Sequence, residues 1–143
     1  MLFNQTSEYA LRAMALLATR GGEACRSGEL AEEAHIPNHY VSKVMRRLVV
    51  AGLVTSKRGR GGGFLLARPP EEIQFSQILA ATDVVLDGGV CAYGLGLCSK
   101  VEPCVLHPVW SKLKTDIQRW AETNTLADLE GLTSRPAIRP LGD

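Results

Sequence analysis

Three thiols and an imidazole crowd one stretch of this chain: Cys91, Cys98, Cys104 and His107, in a run that also holds Gly88, Gly89, Gly94 and Gly96. Three of the four cysteines fall within 14 residues. No export signal is visible, so reducing conditions disfavour a structural disulfide, and metal or redox chemistry is the better expectation. Structural zinc draws cysteines as close pairs, roughly two to four residues apart, whereas six and then five residues intervene here. Wide spacing in a glycine-rich loop fits a larger object, an iron–sulfur cluster, which spreads its ligands around a cage. Glycines let the backbone bend around that cage and leave N–H groups to bond its sulfides. His107 stands at Cys-x-x-His after Cys104. It either reaches back to the metal or merely caps the helix that Pro108 begins. A flexible loop of three free thiols is the plain alternative. Cys25 stands alone and reads as structural or incidental, and Glu8 as a surface carboxylate.

A second group of residues suits phosphates and base edges. Between Glu33 and Glu71 there is no acid, but there are seven basic residues: Lys43, Arg46, Arg47, Lys57, Arg58, Arg60 and Arg68. Stepping 100° per residue from Asn38 gathers Tyr40, Val41, Val44, Met45, Leu48 and Ala51 in one arc. Asn38, His39, Ser42, Lys43, Arg46 and Arg47 fill the opposite arc, with Val49 and Val50 breaking the pattern. Such a helix docks by its apolar side and offers amides, hydroxyls and cations to a major groove. A surface helix of a bundle would have the same pattern. The run Arg58-Gly59-Arg60-Gly61-Gly62-Gly63 reads as a cationic turn. Small residues there allow close approach to DNA, so that Arg58 or Arg60 can enter a minor groove. A phosphate-cradling nucleotide loop is disfavoured, because no Lys-Ser or Lys-Thr pair follows and no helix opens after it.

The elements that must position these groups follow from periodicity and punctuation. A helix opens at Ser7, with Tyr9, Ala13, Leu16 and Leu17 on one stripe, and Gly21-Gly22 ends it. Ser27 is the expected N-cap of a short helix over 28–34. Pro37 precedes the cationic helix, and Gly52 closes it. Residues 53–57 and 64–67 read as strands flanking the cationic turn. Pro69-Pro70 is a stiff hinge, and a further short helix ends near Thr82. From Pro108 to Thr123, Val109, Trp110, Leu113, Ile117 and Trp120 recur at helical spacing, which suggests a dimer interface in so small a protein. A last short helix is expected over 126–132. The fold class expected is mainly α with a small β-hairpin wing: a winged helix-turn-helix plus a long C-terminal dimerisation helix. The expected division is a DNA-binding domain at 1–68, a cluster loop with dimerisation helices at 69–132, and a disordered tail at 133–143.

Composition agrees once it is divided. The 143 residues carry 16 Lys and Arg against 15 Asp and Glu, a net charge of +1 that by itself argues against nucleic acid. Residues 1–68 hold ten basic and five acidic residues, a net of +5; residues 69–143 hold six and ten, a net of −4. Hydrophobic residues at 45% and charged residues at 22% suit a globular chain. No apolar run is long enough to span a membrane, and a cytoplasmic location without membrane partners is expected. No catalytic dyad is evident, so an enzyme is not expected and a small redox enzyme ranks below a zinc-stabilised or cluster-free DNA-binding module.

Taken together, Tyr9-Ala10-Leu11-Arg12-Ala13-Met14, Ala51-Gly52-Leu53-Val54, the glycine-rich turn and the three-cysteine loop resemble the dimeric winged-helix regulators that carry an iron–sulfur cluster, the family of IscR and NsrR. The resemblance covers residues 1–132, and Cys104-Val105-Leu106-His107-Pro108-Val109-Trp110 looks most like the IscR type. It implies a [2Fe–2S] cluster on Cys91, Cys98, Cys104 and His107. Similarity to the NsrR type implies the alternative: a [4Fe–4S] cluster completed by Glu8 of the other subunit. It also implies a homodimer on a double-stranded DNA operator, with cluster-assembly proteins as donors. Arg58 would lie in the minor groove, and His39, Tyr40 and Ser42 near the major groove. Two departures stand out. The first cysteine interval is one residue longer than in IscR, and Ser42 replaces a base-reading glutamate.

Overall fold

The computed structural model describes residues 3–85, 91–93, 96, 98 and 101–128. Residues 129–143 lie outside it, and with them most of the helix expected over 126–132 and all of the expected tail. The described chain runs α1 (Gln5–Thr19), α2 (Ser27–Glu33), α3 (Asn38–Val50), β1 (Val54–Lys57), β2 (Gly63–Leu66), a 3-10 turn at Pro70–Glu72, α4 (Phe75–Ala81) and α5 (His107–Thr123). It is mainly helical with one antiparallel hairpin, as the sequence predicts.

α1 begins two residues before Ser7, because Asn4 caps it: the Ser7 N–H donates to Asn4 Oδ1 at 2.8 Å. The same Asn4 side chain donates through Nδ2 to the Thr82 carbonyl at 3.0 Å, tying the start of α1 to the end of α4. Ser27 is the first residue of α2 rather than its cap. Glu29 supplies the cap instead, its carboxylate accepting the Arg26 N–H at 3.1 Å. The α2–α3 turn passes through His35 at φ 53°, left-handed for a side-chain-bearing residue. Arg12 holds that turn from outside, Nη1 donating to the His35 carbonyl at 3.0 Å. Gly52, at φ 76°, ends α3 in the conformation that glycine enters most readily.

In the hairpin, Val54 pairs with Leu66 and Lys57 with Gly63. Cys25 adds a third, one-residue rung: its N–H donates to the Phe64 carbonyl at 2.8 Å, and its carbonyl accepts the Phe64 N–H at 2.8 Å. Side chains from Tyr9 to Leu126 form a single buried cluster, which includes Met14 and Leu30 of the first helices together with Ile73, Ile78 and Leu126. The chain after α5 returns to this core through the Leu126 N–H, which donates to the Ile73 carbonyl at 3.0 Å. The hinge expected at Pro69-Pro70 is the lead into the 3-10 turn.

Candidate nucleic-acid interface and cysteine loop

α3 divides as its periodicity dictates. Val41, Val44, Met45 and Leu48 are buried, while Asn38, His39, Ser42, Lys43 and Arg46 face outward and are exposed. Tyr40 has a double role. Its ring meets Tyr9 edge-on at 5.2 Å between centroids, packing α3 on α1, and His39 lies against it at 5.3 Å. Lys43 Nζ sits 5.3 Å from the same ring, so the amphipathic tyrosine joins the core to the cationic face. Val49 and Val50, which break the apolar pattern, are both exposed, Val50 by 81%.

The wing carries its cations at the tip: Lys57, Arg58 and Arg60 are all exposed. Its glycines answer first to the hairpin's own geometry. A Cβ on Gly62 would lie 2.4 Å from the Lys57 carbonyl oxygen, and one on Gly63 would lie 2.5 Å from that of Cys25. Composition could suggest a loop that approaches DNA; only the fold reveals that two of these glycines are fixed by neighbouring backbone. Lys57 joins the tip cations, and its place in the acid-free stretch was the available signal.

The cysteine loop leads into α5. Cys91 and Cys98 are half-buried and Cys104 is exposed. The Cys91 N–H donates to the Gly96 carbonyl at 2.8 Å, and the Tyr93 N–H points at Cys91 Sγ from 3.4 Å. The His107 N–H donates to the Cys104 carbonyl at 3.0 Å, so the Cys-x-x-His unit is a single turn at the head of α5. Half-buried Glu8 lies in the first turn of α1. Among the described residues, no three His, Cys, Asp or Glu side chains stand close enough to share a metal ion. The donors are therefore gathered on one segment without being drawn to a point. Their chemistry suits a soft centre, three thiols and one imidazole with a backbone N–H already directed at one sulfur.

Cys25 is of a different kind. It is fully buried, and burial pushes its thiol up from near 9 to about 11, against a smaller opposing pull from Arg20. Its neutral form is favoured in the fold, so this contribution to stability is complete below the ordinary thiol range and declines as pH rises from about 9 to about 11. In protein stripped of any bound metal, at about pH 8, a thiol reagent should modify Cys91, Cys98 and Cys104 rapidly and Cys25 only on unfolding. Four equally fast thiols would contradict that placement.

α5 turns only part of its surface inward. Ala121 and Lys114 are buried, with Lys114 Nζ 5.8 Å from the Trp110 ring. Val109 (70%), Trp120 (50%) and Leu113 (44%) stay exposed along one side, with half-buried Ile117 among them. One face of Trp120 stacks on Phe75 of α4 at 4.7 Å. No described helix is long and apolar enough to cross a membrane.

A helix-turn-helix with a cationic outer face, followed by a cation-tipped hairpin, defines a winged-helix DNA-binding protein. The family model described as "Rrf2: Iron-dependent Transcriptional regulator" matches residues 3–130, and the chain belongs to this family of DNA-binding transcription regulators. It is similar to the HTH-type transcriptional regulator IscR of Sodalis glossinidius, 31% identical over 130 residues that cover 90% of this chain and 78% of that one. Among solved structures it resembles T. potens IscR, with a TM-score of 0.69 and 27% identity over 98% of this chain and 93% of that one. It shares its fold with CymR, the global cysteine regulator of B. subtilis, at a TM-score of 0.75 and 23% identity, covering 91% of this chain and 96% of that one. These relatives are regulators and not enzymes, in agreement with the sequence. No finding supports the expected cluster-assembly partners.

Proposed function

We propose that this protein is a homodimeric repressor whose affinity for a double-stranded DNA operator is set by an iron–sulfur cluster. One observation carries the reading: Cys104 and His107 form the turn that opens α5, the helix with the exposed apolar stripe. Whatever the loop holds is thereby attached to the surface that a second copy would cover. Cys91, Cys98 and Cys104 would supply thiolates, and His107 the fourth ligand to a [2Fe–2S] cluster. Glu8 is the alternative, with a [4Fe–4S] cluster. Such a cluster gains or loses electrons and falls apart under oxidants or nitric oxide, which makes it a sensor.

This chain's own residues do the rest. Val109, Leu113, Ile117 and Trp120, with Trp110 at their margin, would pair two α5 helices. Asn38, His39, Tyr40, Ser42, Lys43 and Arg46 would meet the major groove, and Arg58 and Arg60 the minor groove. Two-fold symmetry sets the half-sites about one helical turn or a multiple apart. Residues 1–68 thus bind DNA, while residues 69–132 sense and dimerise, and the protein works in the cytoplasm.

The test is purification without oxygen. The protein should be coloured and contain iron and acid-labile sulfide, and its DNA affinity should differ at least about tenfold, or about 1.4 kcal/mol, once the cluster is removed. A colourless protein without iron would end the cluster reading, and zinc in its place would favour the zinc-stabilised alternative. His107→Ala should alter the visible spectrum and shorten cluster lifetime, while Glu8→Ala leaves both unchanged. The reverse result would transfer the fourth position to Glu8.

A further inference from the structure

The chain keeps acids out of residues 34–70, yet the fold brings one to the recognition helix. Asp83 Oδ2 is in ion-pair contact with Arg47 Nη1 on the last turn of α3. Among the described residues this is the one ion pair made by an α3 cation, for Lys43 and Arg46 form none. Arg47 borders a shallow groove of about 650 Å³ whose other lining includes Lys43, Arg46, Val50 and Ala81, so it stands beside the cations assigned above to DNA.

Asp83 is held firmly for an exposed residue. It follows buried Thr82, whose carbonyl accepts from Asn4 and whose hydroxyl donates to the Ile78 and Leu79 carbonyls at 3.2 and 3.0 Å. Beyond it, the Val84 N–H donates to the Leu79 carbonyl at 3.0 Å. Asp83 itself adopts φ 61°, a left-handed conformation that Asp and Asn enter more readily than other side-chain-bearing residues. Eight residues further on is Cys91. The pair is partly exposed, 37% at Arg47 and 76% at Asp83, and so weak enough to be exchanged.

We propose that Arg47 is a DNA-phosphate contact held in reserve by Asp83, and that Asp83 is a positioning residue setting how many phosphates each subunit engages. The inference rests on the assignment of α3 to DNA. While paired, Arg47 is already neutralised and releases no counterion from DNA; once freed, it adds one phosphate contact per subunit. Anything that moves Asp83 would alter affinity without touching a base-reading residue.

The test compares the parent protein, Asp83→Asn, Arg47→Ala and the double variant, all cluster-free, on a random-sequence duplex of about 30 base pairs over a range of salt concentrations. Asn keeps the left-handed backbone and removes the charge. Asp83→Asn should bind severalfold more tightly and steepen the plot of log affinity against log salt by about one unit per subunit. In the double variant this gain should vanish, returning the slope to that of Arg47→Ala. Unchanged slope and affinity in Asp83→Asn would overturn the proposal. So would a gain that persists without Arg47, because it would reflect only the loss of a negative charge. Failure of all four proteins to bind DNA would instead overturn the assignment of α3 beneath it.

Discussion

Replacing Gly63 with alanine should cost the protein about 3 kcal/mol and lower its melting temperature by about 10 °C. The new Cβ would lie 2.5 Å from the carbonyl oxygen and 2.7 Å from the carbonyl carbon of Cys25, both backbone atoms that no side-chain rotation can move aside. Gly63 also sits at φ 137°, where a side chain adds strain of its own. Relief requires Cys25 and Phe64 to separate, which breaks two hydrogen bonds of 2.8 Å worth about 1 kcal/mol each. Gly61→Ala is the internal control. It is left-handed at φ 71° but has no atom within 4 Å of the added Cβ, so it should cost only about 1 kcal/mol. Denaturant midpoints of the two variants decide the matter. Equal, small losses would mean that the Cys25 rung does not constrain the wing.

The second large effect is on binding. Arg58→Ala with Arg60→Ala should weaken DNA affinity on the order of a hundredfold at about 0.1 M salt and flatten the salt dependence by about two units per subunit. Both residues are exposed at the wing tip, where Gly59 and Gly61 rather than the arginines supply the positive φ angles of the turn. Thermal stability should therefore stay within about 0.5 kcal/mol of the parent. Filter retention or fluorescence anisotropy across a salt series gives the slope. A variant with parental slope would remove the wing from the interface.

Much of the fold was legible because it is local. The alternation of Val41, Val44, Met45 and Leu48 with Ser42, Lys43 and Arg46 is a helical pattern that burial then reproduces. The two strands flanking a glycine run declare a hairpin. The Cys25 rung was not legible, since one residue paired with Phe64 has no period of its own. Ser27 reads as a cap because serine is a common one; Glu29 reaching back to Arg26 supplies the cap instead. The cysteine segment stands out by residue type, three thiols and an imidazole within 17 residues. Spacing along a chain does not fix where sulfurs meet, and their separation in the fold could not be read from it.

Side-chain chemistry and short-range periodicity reside in neighbouring residues, so the main helices, the hairpin, the cationic character of α3 and the wing, and the grouping of Cys91, Cys98, Cys104 and His107 on one segment are readable from the sequence. Which distant groups meet is settled in three dimensions. The fold sets Gly63 against Cys25, brings Leu126 to Ile73, leaves one side of α5 uncovered, and places Asp83 on Arg47 at a separation of 36 residues. Such contacts depend on the path of the backbone through a shared core, a property of the whole chain that no local pattern encodes.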